Sequence, residues 1–580
     1  MNPATIPARL FQQAQDRPNA PAYFVRGETD WEPTDWSTYA ANVRQIARAL
    51  IAFGVESGQV ICILGNNRPE WVEMDLAAMA INAIPAGIYQ TSSSDEIAYV
   101  LNHSEAPIIL VENEAQWAKV NEIRSGVPTL KRIVTMQGTT IDDADTQTWE
   151  QFLASGNESE EDIDLRVKNL DPTAPATFIY TSGTTGPPKA VMLSHDNLAW
   201  TADRAIDIVG QTDQDTSLSY LPLSHIAEQM FTLHAPITSG ARVYFAQGIE
   251  KMPDNLKEVQ PTVFFGVPRV WEKFHAGVAS KLKLATGVKL KLVNFARRTG
   301  TAVSELKCQG KPITGALALK YKLANKLIFS KLKPAIGMGN ARICVSGAAP
   351  IAPDVLEFMA SLDVIILEVY GQSEDSGPTT FNLTGNTRFG TVGVRLPGID
   401  VRIAEDGEIL VKGRNVFMGY YKDDEATKAT LDADGWLYSG DLGAFSDDGF
   451  LTITGRKKDI IITAGGKNIA PKNIEAALME HEAISQAVVI GDRRKFLSAV
   501  VAINPERAEE AGGDLSSFKS SIQEHIDAVN SRFARVEHIR KFSILPRELD
   551  QENAELTPTM KIKRRIVYDN WASVIDGMYE

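Results

Sequence analysis

Residues 180–189, Tyr-Thr-Ser-Gly-Thr-Thr-Gly-Pro-Pro-Lys, gather four aliphatic hydroxyls, two glycines and a lysine within ten positions. Thr181, Ser182, Thr184 and Thr185 supply donors that can also ligate a hard cation. Gly183 and Gly186 let the backbone take positive φ and bring N–H groups close to an anion. Lys189 adds a mobile positive charge. The apolar run at 176–180 reads as a short buried strand, so the stretch describes a strand running into a loop built to hold polyphosphate. The nucleoside-triphosphatase loop G-x-x-x-x-G-K-[ST] does not match it. Gly186 is followed by Pro187 and Pro188, and Lys189 by Ala190. The two prolines also remove N–H donors which that loop would use.

Four other stretches carry chemistry-bearing types. Residues 345–350 (VSGAAP) form a small-residue turn after the apolar run ICVS, and 369–374 (VYGQSE) bring a ring, a hydroxyl and a carboxylate to the end of VIILEVY. Residues 438–443 (YSGDLG) and 455–459 (GRKKD) pair an acid with a basic cluster, and 556–565 (LTPTMKIKRR) is strongly basic.

Elements must position these groups, and 580 residues exceed what one core holds, so two or more domains are expected. With 44% apolar and 23% charged residues the composition is that of an ordinary globular chain. Cys62, Cys308 and Cys344 are far apart and form no metal-type spacing, which fits a reducing cytosol and core roles. No apolar segment opens the chain as a secretory signal would, and the run at 76–89 is broken by Asn82 and Pro85, short of a membrane span. A cytoplasmic location is expected. The net charge of −14 argues against nucleic acid as partner.

Strand and helix patterns alternate early: strands at 59–64, 84–89 and 107–111, a helix at 69–83 opened by Pro69, and a capping-box spacing from Ser93 to Glu96. Such succession predicts an α/β fold with parallel sheet layers under helices, and ligands at the carboxyl ends of the strands. From about 385 to 455 the texture turns to short strands with Asp-Gly turns, a β-rich subdomain. After Gly455 a helix at 471–481, strands at 487–490 and 497–503, a helix at 515–535 and a strand at 539–545 predict a separate α+β unit. The expected division is a large domain over 1–455, with doubly wound mixed sheets, and a small mobile domain over 456–580.

Taken in order, these motifs resemble the adenylate-forming superfamily, the AMP-dependent synthetases and ligases, over nearly the whole chain. LPLSHIAEQ at 221–229, FFGVPRVWEKF at 264–274 and a long basic insertion resemble more narrowly the long-chain fatty acyl-CoA synthetases, including the bubblegum-like branch. The resemblance implies a two-step ligase. Fatty acid and ATP give acyl-adenylate and pyrophosphate, and the coenzyme A thiol then displaces AMP. A ligase loading a carrier protein instead of coenzyme A, or a non-catalytic acyl or nucleotide sensor, are the alternatives.

The resemblance also implies roles. Thr181 to Gly186 and Lys189 hold the β- and γ-phosphates, and Glu374 with Thr181 holds Mg²⁺. Tyr370 stacks on adenine beside the flat backbone of Gly347, Ala348 and Ala349, in a pocket continued by Gly371, Gln372 and Ser373. Asp441 accepts from the ribose hydroxyls, and Arg456 donates to ribose or phosphate oxygens. His225 lies near the α-phosphate and carboxylate. Lys561 bridges both and is the expected adenylation residue, with Met560 where the family usually has glycine and Lys563 two residues on. Lys458 is the hinge, Gly465 and Gly466 approach the pantetheine, and Phe264, Gly266 and Val267 line the acyl tunnel. By type alone, Tyr370 also reads as a core tyrosine, His225 as a structural histidine, and Lys561 as part of a solvated tail.

The insertion at about 279–340 stands apart. Between Ala279 and Arg342 fourteen Lys or Arg face one acid, Glu305. Leu317, Tyr321, Ala324, Ile328 and Leu332 share one helical stripe, with Lys322, Lys326 and Lys333 opposite. Three readings stay open: a basic amphipathic helix on an anionic membrane, a core-packed helix with solvated lysines, or a collector of polyanionic coenzyme A.

Overall fold

The computed structural model describes residues 2–181, 187–464, 467–557 and 560–580. The long apolar strands form the floor of the molecule. Val60–Leu64, Ile84–Ile88 and Ile108–Val111 are buried on both faces, as all-apolar strands require, and pair in parallel. They sit in an eight-stranded mixed sheet that also holds Pro175–Thr181 and Lys189–Ser194. Pro69 opens the helix Pro69–Ala80, and Ser93 and Glu96 close a capping box on Ser94–Ser104.

A five-stranded sheet runs Val263–Gly266, Ile343–Ser346 and Ile366–Tyr370 in parallel, then turns antiparallel. A four-stranded antiparallel sheet follows, with Ile399–Ile403, Glu408–Gly413, Leu437–Phe445 and Leu451–Arg456. Its turn glycines Gly407 and Gly449 take φ of +87° and +84°, which Asp-Gly turns accommodate. The architecture is mixed α/β with several mixed sheets and a C-terminal unit. In that unit Ile484–Ile490, Leu497–Ile503 and Ile539–Ile544 form one sheet, against which Ile474, Ile522, Ile526 and Val529 pack. Cys62 and Cys344 are buried in the core, and all three cysteines are free.

The insertion is a helical hairpin: Gly287–Cys308, then Gly315–Ala324, a π-turn over Asn325–Phe329, and Ser330–Ala335. Its predicted stripe points inward. Ala324 and Phe329 form a small core with Ala296, with Tyr321 and Ile328 packed against it. Lys333 departs from the expected outer face, because the wider π-turn adds a residue to the helical repeat. It points inward instead, with Nζ 3.3 Å from Asp363, which Lys307 also pairs at 2.6 Å.

Candidate active site

Strand Pro175–Thr181 pairs in parallel with Ile84–Ile88 on one side and antiparallel with Lys189–Ser194 on the other, Thr181 lying opposite Lys189. The phosphate-type loop therefore leaves from the carboxyl end of the parallel strands. Ser182, Gly183, Thr184, Thr185 and Gly186 lie outside the described residues. The Thr181 hydroxyl donates to the Lys189 carbonyl at 3.4 Å. The Lys189 ammonium stands 3.7 Å from Asp423 and 4.8 Å above the Tyr420 ring. The Tyr420 hydroxyl in turn donates to Glu374 Oε1 at 2.8 Å.

Two neighbouring strand ends face this group. A Cβ on Gly347 would stand 2.6 Å from Val369, and one on Gly371 would run into the Gly377 carbonyl, so both turns need glycine. Ala348 holds the left-handed conformation at φ +68°, which turns the chain sharply after Ser346, with Ala349 next in the turn. The buried Asp375 carboxyl ties the second turn together, accepting from the Gln372 N–H at 2.7 Å and from the Thr379 hydroxyl at 2.7 Å. Ser373 is buried, and the buried Gln372 Nε2 has no hydrogen-bond partner among the described residues.

Tyr370 closes its strand nearly buried, and its hydroxyl donates to Asp441 Oδ2 at 3.0 Å. Arg456 Nε donates to Asp441 Oδ1 at 2.8 Å, because Asp441 and Arg456 are register partners across two antiparallel strands. Burial and the Asp441 charge raise the Tyr370 phenol well above its usual value. Each Asp441 oxygen keeps a further lone pair for another donor.

His225 caps the short helix Ile226–Gln229, its Nδ1 accepting from the Ala227 N–H at 3.1 Å. That bond leaves the neutral ring's proton on Nε2. Burial, reinforced by the Lys561 charge, lowers His225 to about 4, so it is neutral through the physiological range. The loop is held by buried Glu228, whose Oε1 accepts from Ser219 at 2.9 Å, Thr232 at 2.8 Å and Asn67 at 3.1 Å.

Lys561 comes from the C-terminal unit. The crowding protein, then Arg456 and Lys472, lower its ammonium to about 8, against the raising influence of Asp441 and Glu374. The side chain still meets solvent, which fits the wall of a cleft rather than a core. Lys563 instead stands immediately before the helix Arg564–Asn570. Met560 has φ +62°, the left-handed region that favours glycine, and this accounts for a glycine being usual at that position. Arg269 and Glu548 at 3.9 Å, and Lys283 and Glu482 at 3.4 Å, also join the C-terminal unit to the rest.

Exposed Lys458 lies in the turn Lys457–Asp459 where the two parts meet. Gly465 and Gly466 lie outside the described residues. Phe264 is fully buried, parallel to Tyr220 at 5.7 Å and edge-on to Trp271 at 5.4 Å. The Trp271 indole donates to the Gly266 carbonyl at 3.1 Å, filling the space a side chain there would need. Val267 is half-buried and immediately precedes the helix Pro268–Lys283. Among the described residues, no group of three or more His, Cys, Asp or Glu side chains could hold a metal.

Sequence reasoning missed Tyr420, Asp423, Glu228 and Lys472. Of these, Tyr420 carried a faint signal, an aromatic pair following Met418-Gly419.

The family model described as "AMP-binding enzyme" matches residues 10–421, and "AMP-binding enzyme C-terminal domain" matches 458–580. The chain belongs to the AMP-binding enzyme family. This AMP-binding enzyme is 36% identical to the long-chain-fatty-acid–CoA ligase ACSBG2 of Xenopus laevis, over 100% of its own length and 84% of the relative's. It is also 36% identical to the long-chain-fatty-acid–CoA ligase FadD15 of Mycobacterium bovis, over 99% and 97% of the two chains. ATP-bound MatB from Rhodopseudomonas palustris shares its fold, with a TM-score of 0.73 at 22% identity over 99% and 100% of the chains.

Proposed function

We propose that this enzyme is a long-chain fatty acid–CoA ligase of the AMP-forming type, with ATP, Mg²⁺ and coenzyme A as its small-molecule partners. One observation carries the reading: Lys561, contributed by the C-terminal unit, lies within electrostatic reach of His225, Glu374, Asp441 and Arg456. Family relatives named for this activity at 36% identity over essentially the full chain support the substrate class.

The groups fit the substrates they would meet. The glycine-only turns at Gly347 and Gly371 leave flat backbone for a nucleobase, with Ala348, Ala349, Gln372 and Ser373 around it and Tyr370 at its edge. Asp441 is held by Tyr370 and Arg456 in position to accept from ribose hydroxyls. Lys189 and Thr181 stand at the two ends of the loop that would take the β- and γ-phosphates. Glu374 and Thr181 would hold Mg²⁺, an ion that takes one or two carboxylates plus phosphate oxygens and water. When bound, that ion neutralises charge building up on the departing pyrophosphate.

Lys561 bridges the fatty carboxylate and the α-phosphate, offsetting the repulsion between two anions that must meet. Neutral His225 offers its Nε2–H to the same oxygens without needing protonation. The carboxylate oxygen attacks the α-phosphorus, and the bond to pyrophosphate breaks. Rotation about Lys458 then withdraws Lys561 and brings the segment around Ala464 and Lys467 toward the acyl-adenylate. The coenzyme A sulfur attacks the acyl carbon, and AMP leaves.

Purified enzyme given Mg-ATP, palmitate and coenzyme A should release pyrophosphate and AMP and form palmitoyl-CoA by mass spectrometry. Lys561→Ala should slow acyl-adenylate formation by about 10²–10³-fold, as for other lost charge-stabilising donors. Thioester formation from supplied acyl-adenylate should persist. Equal loss of both steps contradicts the division of labour, and product on a carrier protein but not on coenzyme A contradicts the acceptor.

A further inference from the structure

The helical insertion takes no part in the site, yet its outer surface is unusual. Leu284 is 81% exposed, Val288 74%, Leu319 70%, Leu323 49% and Leu290 41%. Exposed lysines alternate with them: Lys281, Lys283, Lys289 and Lys291 at the corner between two helices, and Lys320, Lys322, Lys326 and Lys331 along the hairpin's second arm. Among the described residues, only Lys283 of these eight makes an ion pair.

The hairpin does not need these leucines to hold itself together. Tyr321, Ala324, Ile328 and Phe329 already pack it onto its first arm, and Asp363 anchors Lys307 and Lys333. Helix Gly315–Ala324 is therefore apolar on both sides, with Leu317 and Tyr321 turned inward and Leu319 and Leu323 turned to solvent. Leucines left exposed on the side away from the packed face call for a cover of their own.

Charge decides what covers it. The chain carries −14 overall, while 279–342 holds fourteen cations against one acid. A second copy meeting the same face would set lysine against lysine. Coenzyme A, a small soluble anion, would leave the leucines exposed. Anionic head groups over acyl chains match both features at once: lysines reach the phosphates, and leucines and valine enter the apolar boundary.

We propose that the outer surface of this insertion docks on an anionic lipid bilayer. The docking face is the corner at 281–291 together with Leu319 and Leu323, opposite the stripe that the sequence alone would select. The inference stands on exposure and charge and does not depend on the ligase reading, though a bilayer is also where long-chain acids reside. Among the described residues no helix is long and apolar enough to cross a membrane, so the contact is a surface one.

Co-sedimentation of the full chain tests it, using vesicles of phosphatidylcholine alone and of phosphatidylcholine with equal parts phosphatidylglycerol. Binding to the mixed vesicles only is expected. Two combined variants, Leu284→Ser/Val288→Ser/Leu319→Ser/Leu323→Ser and Lys281→Glu/Lys289→Glu/Lys291→Glu/Lys320→Glu/Lys322→Glu, should each weaken it by about a hundredfold. All nine positions are exposed, so the melting temperature should hold and act as the folding control. Leu319→Trp should show a fluorescence blue shift with the mixed vesicles alone. Binding to neither vesicle, equal binding to both, variants that bind like the parent, or leucine-dependent self-association without vesicle binding would each overturn the proposal.

Discussion

Tyr420 joins the two charges that would hold the phosphates and their cation: its hydroxyl fixes Glu374, and its ring lies under Lys189. Tyr420→Phe keeps the ring and removes the bond. Groups that orient a metal-holding carboxylate typically contribute about 10–100-fold to metal affinity. The variant should therefore need about tenfold more Mg²⁺ for pyrophosphate formation and for ATP binding by calorimetry, with thioester formation from acyl-adenylate intact. An unchanged Mg²⁺ dependence would remove Tyr420 from this role. Lys561, Asp441 and Arg456 were named through the family resemblance of the runs they sit in, whereas by type alone Lys561 also reads as part of a solvated tail. Tyr420 was not, because its significance lies in reaching Glu374, 46 positions away in the chain. Lys561 makes a second prediction at this scale. Its ammonium, lowered to about 8, is charged at neutral pH and loses its proton above that value. The adenylation kcat/KM should fall on an alkaline limb near pH 8, a limb absent in Lys561→Ala.

At the scale of elements, periodicity and caps carried the reading well where one face decides the structure. Ser93 and Glu96 formed the expected box, and Leu497–Ile503 appeared as a strand at its expected bounds. At the insertion the stripe of Tyr321, Ala324 and Ile328 packed together as read, but Lys333 left its expected face, because a helical wheel assumes an unbroken repeat and the π-turn at Asn325–Phe329 breaks it. Nor does a wheel say which of two apolar faces meets the protein. The first arm of the hairpin is seated by Gly300, where an added Cβ would stand 2.1 Å from the Ser361 carbonyl oxygen of the helix Pro353–Ser361. That close approach of two helices needs glycine. Gly300→Ala should push the hairpin outward and destabilise the chain by about 1–3 kcal/mol, despite alanine's better helix propensity. Denaturant unfolding checks it, and a stabilised variant would mean the helices can separate without cost.

Across the whole molecule, buried ionisable groups set how stability follows pH. Glu228, Glu368 and Asp375 are raised to about 8 and Glu73 to about 7, in each case chiefly by burial. Unfolded, they ionise near 4.5 for Glu and 3.8 for Asp. Between those limits the folded chain holds protons that the unfolded chain has released, so their stabilising contribution is lost as pH rises through the folded values. Buried His195 and His225, lowered to about 4, and His234, lowered to about 3, act oppositely. They are neutral when folded while the unfolded rings protonate near 6.5, so they favour folding more as pH rises toward 6.5 and add no further slope above it. Below pH 6.5 the two sets compete, and from 6.5 to about 8 the carboxyls prevail. Each proton contributes about 1.4 kcal/mol per pH unit. The melting temperature should therefore fall across that window in low-salt scanning fluorimetry. Glu368→Gln replaces one of these carboxyls with a neutral group of like shape and should make the fall shallower. A melting temperature that rises from pH 6.5 to about 8 would mean these carboxyls are ionised in the folded chain, with water or a cation reaching sites that are closed in this structure.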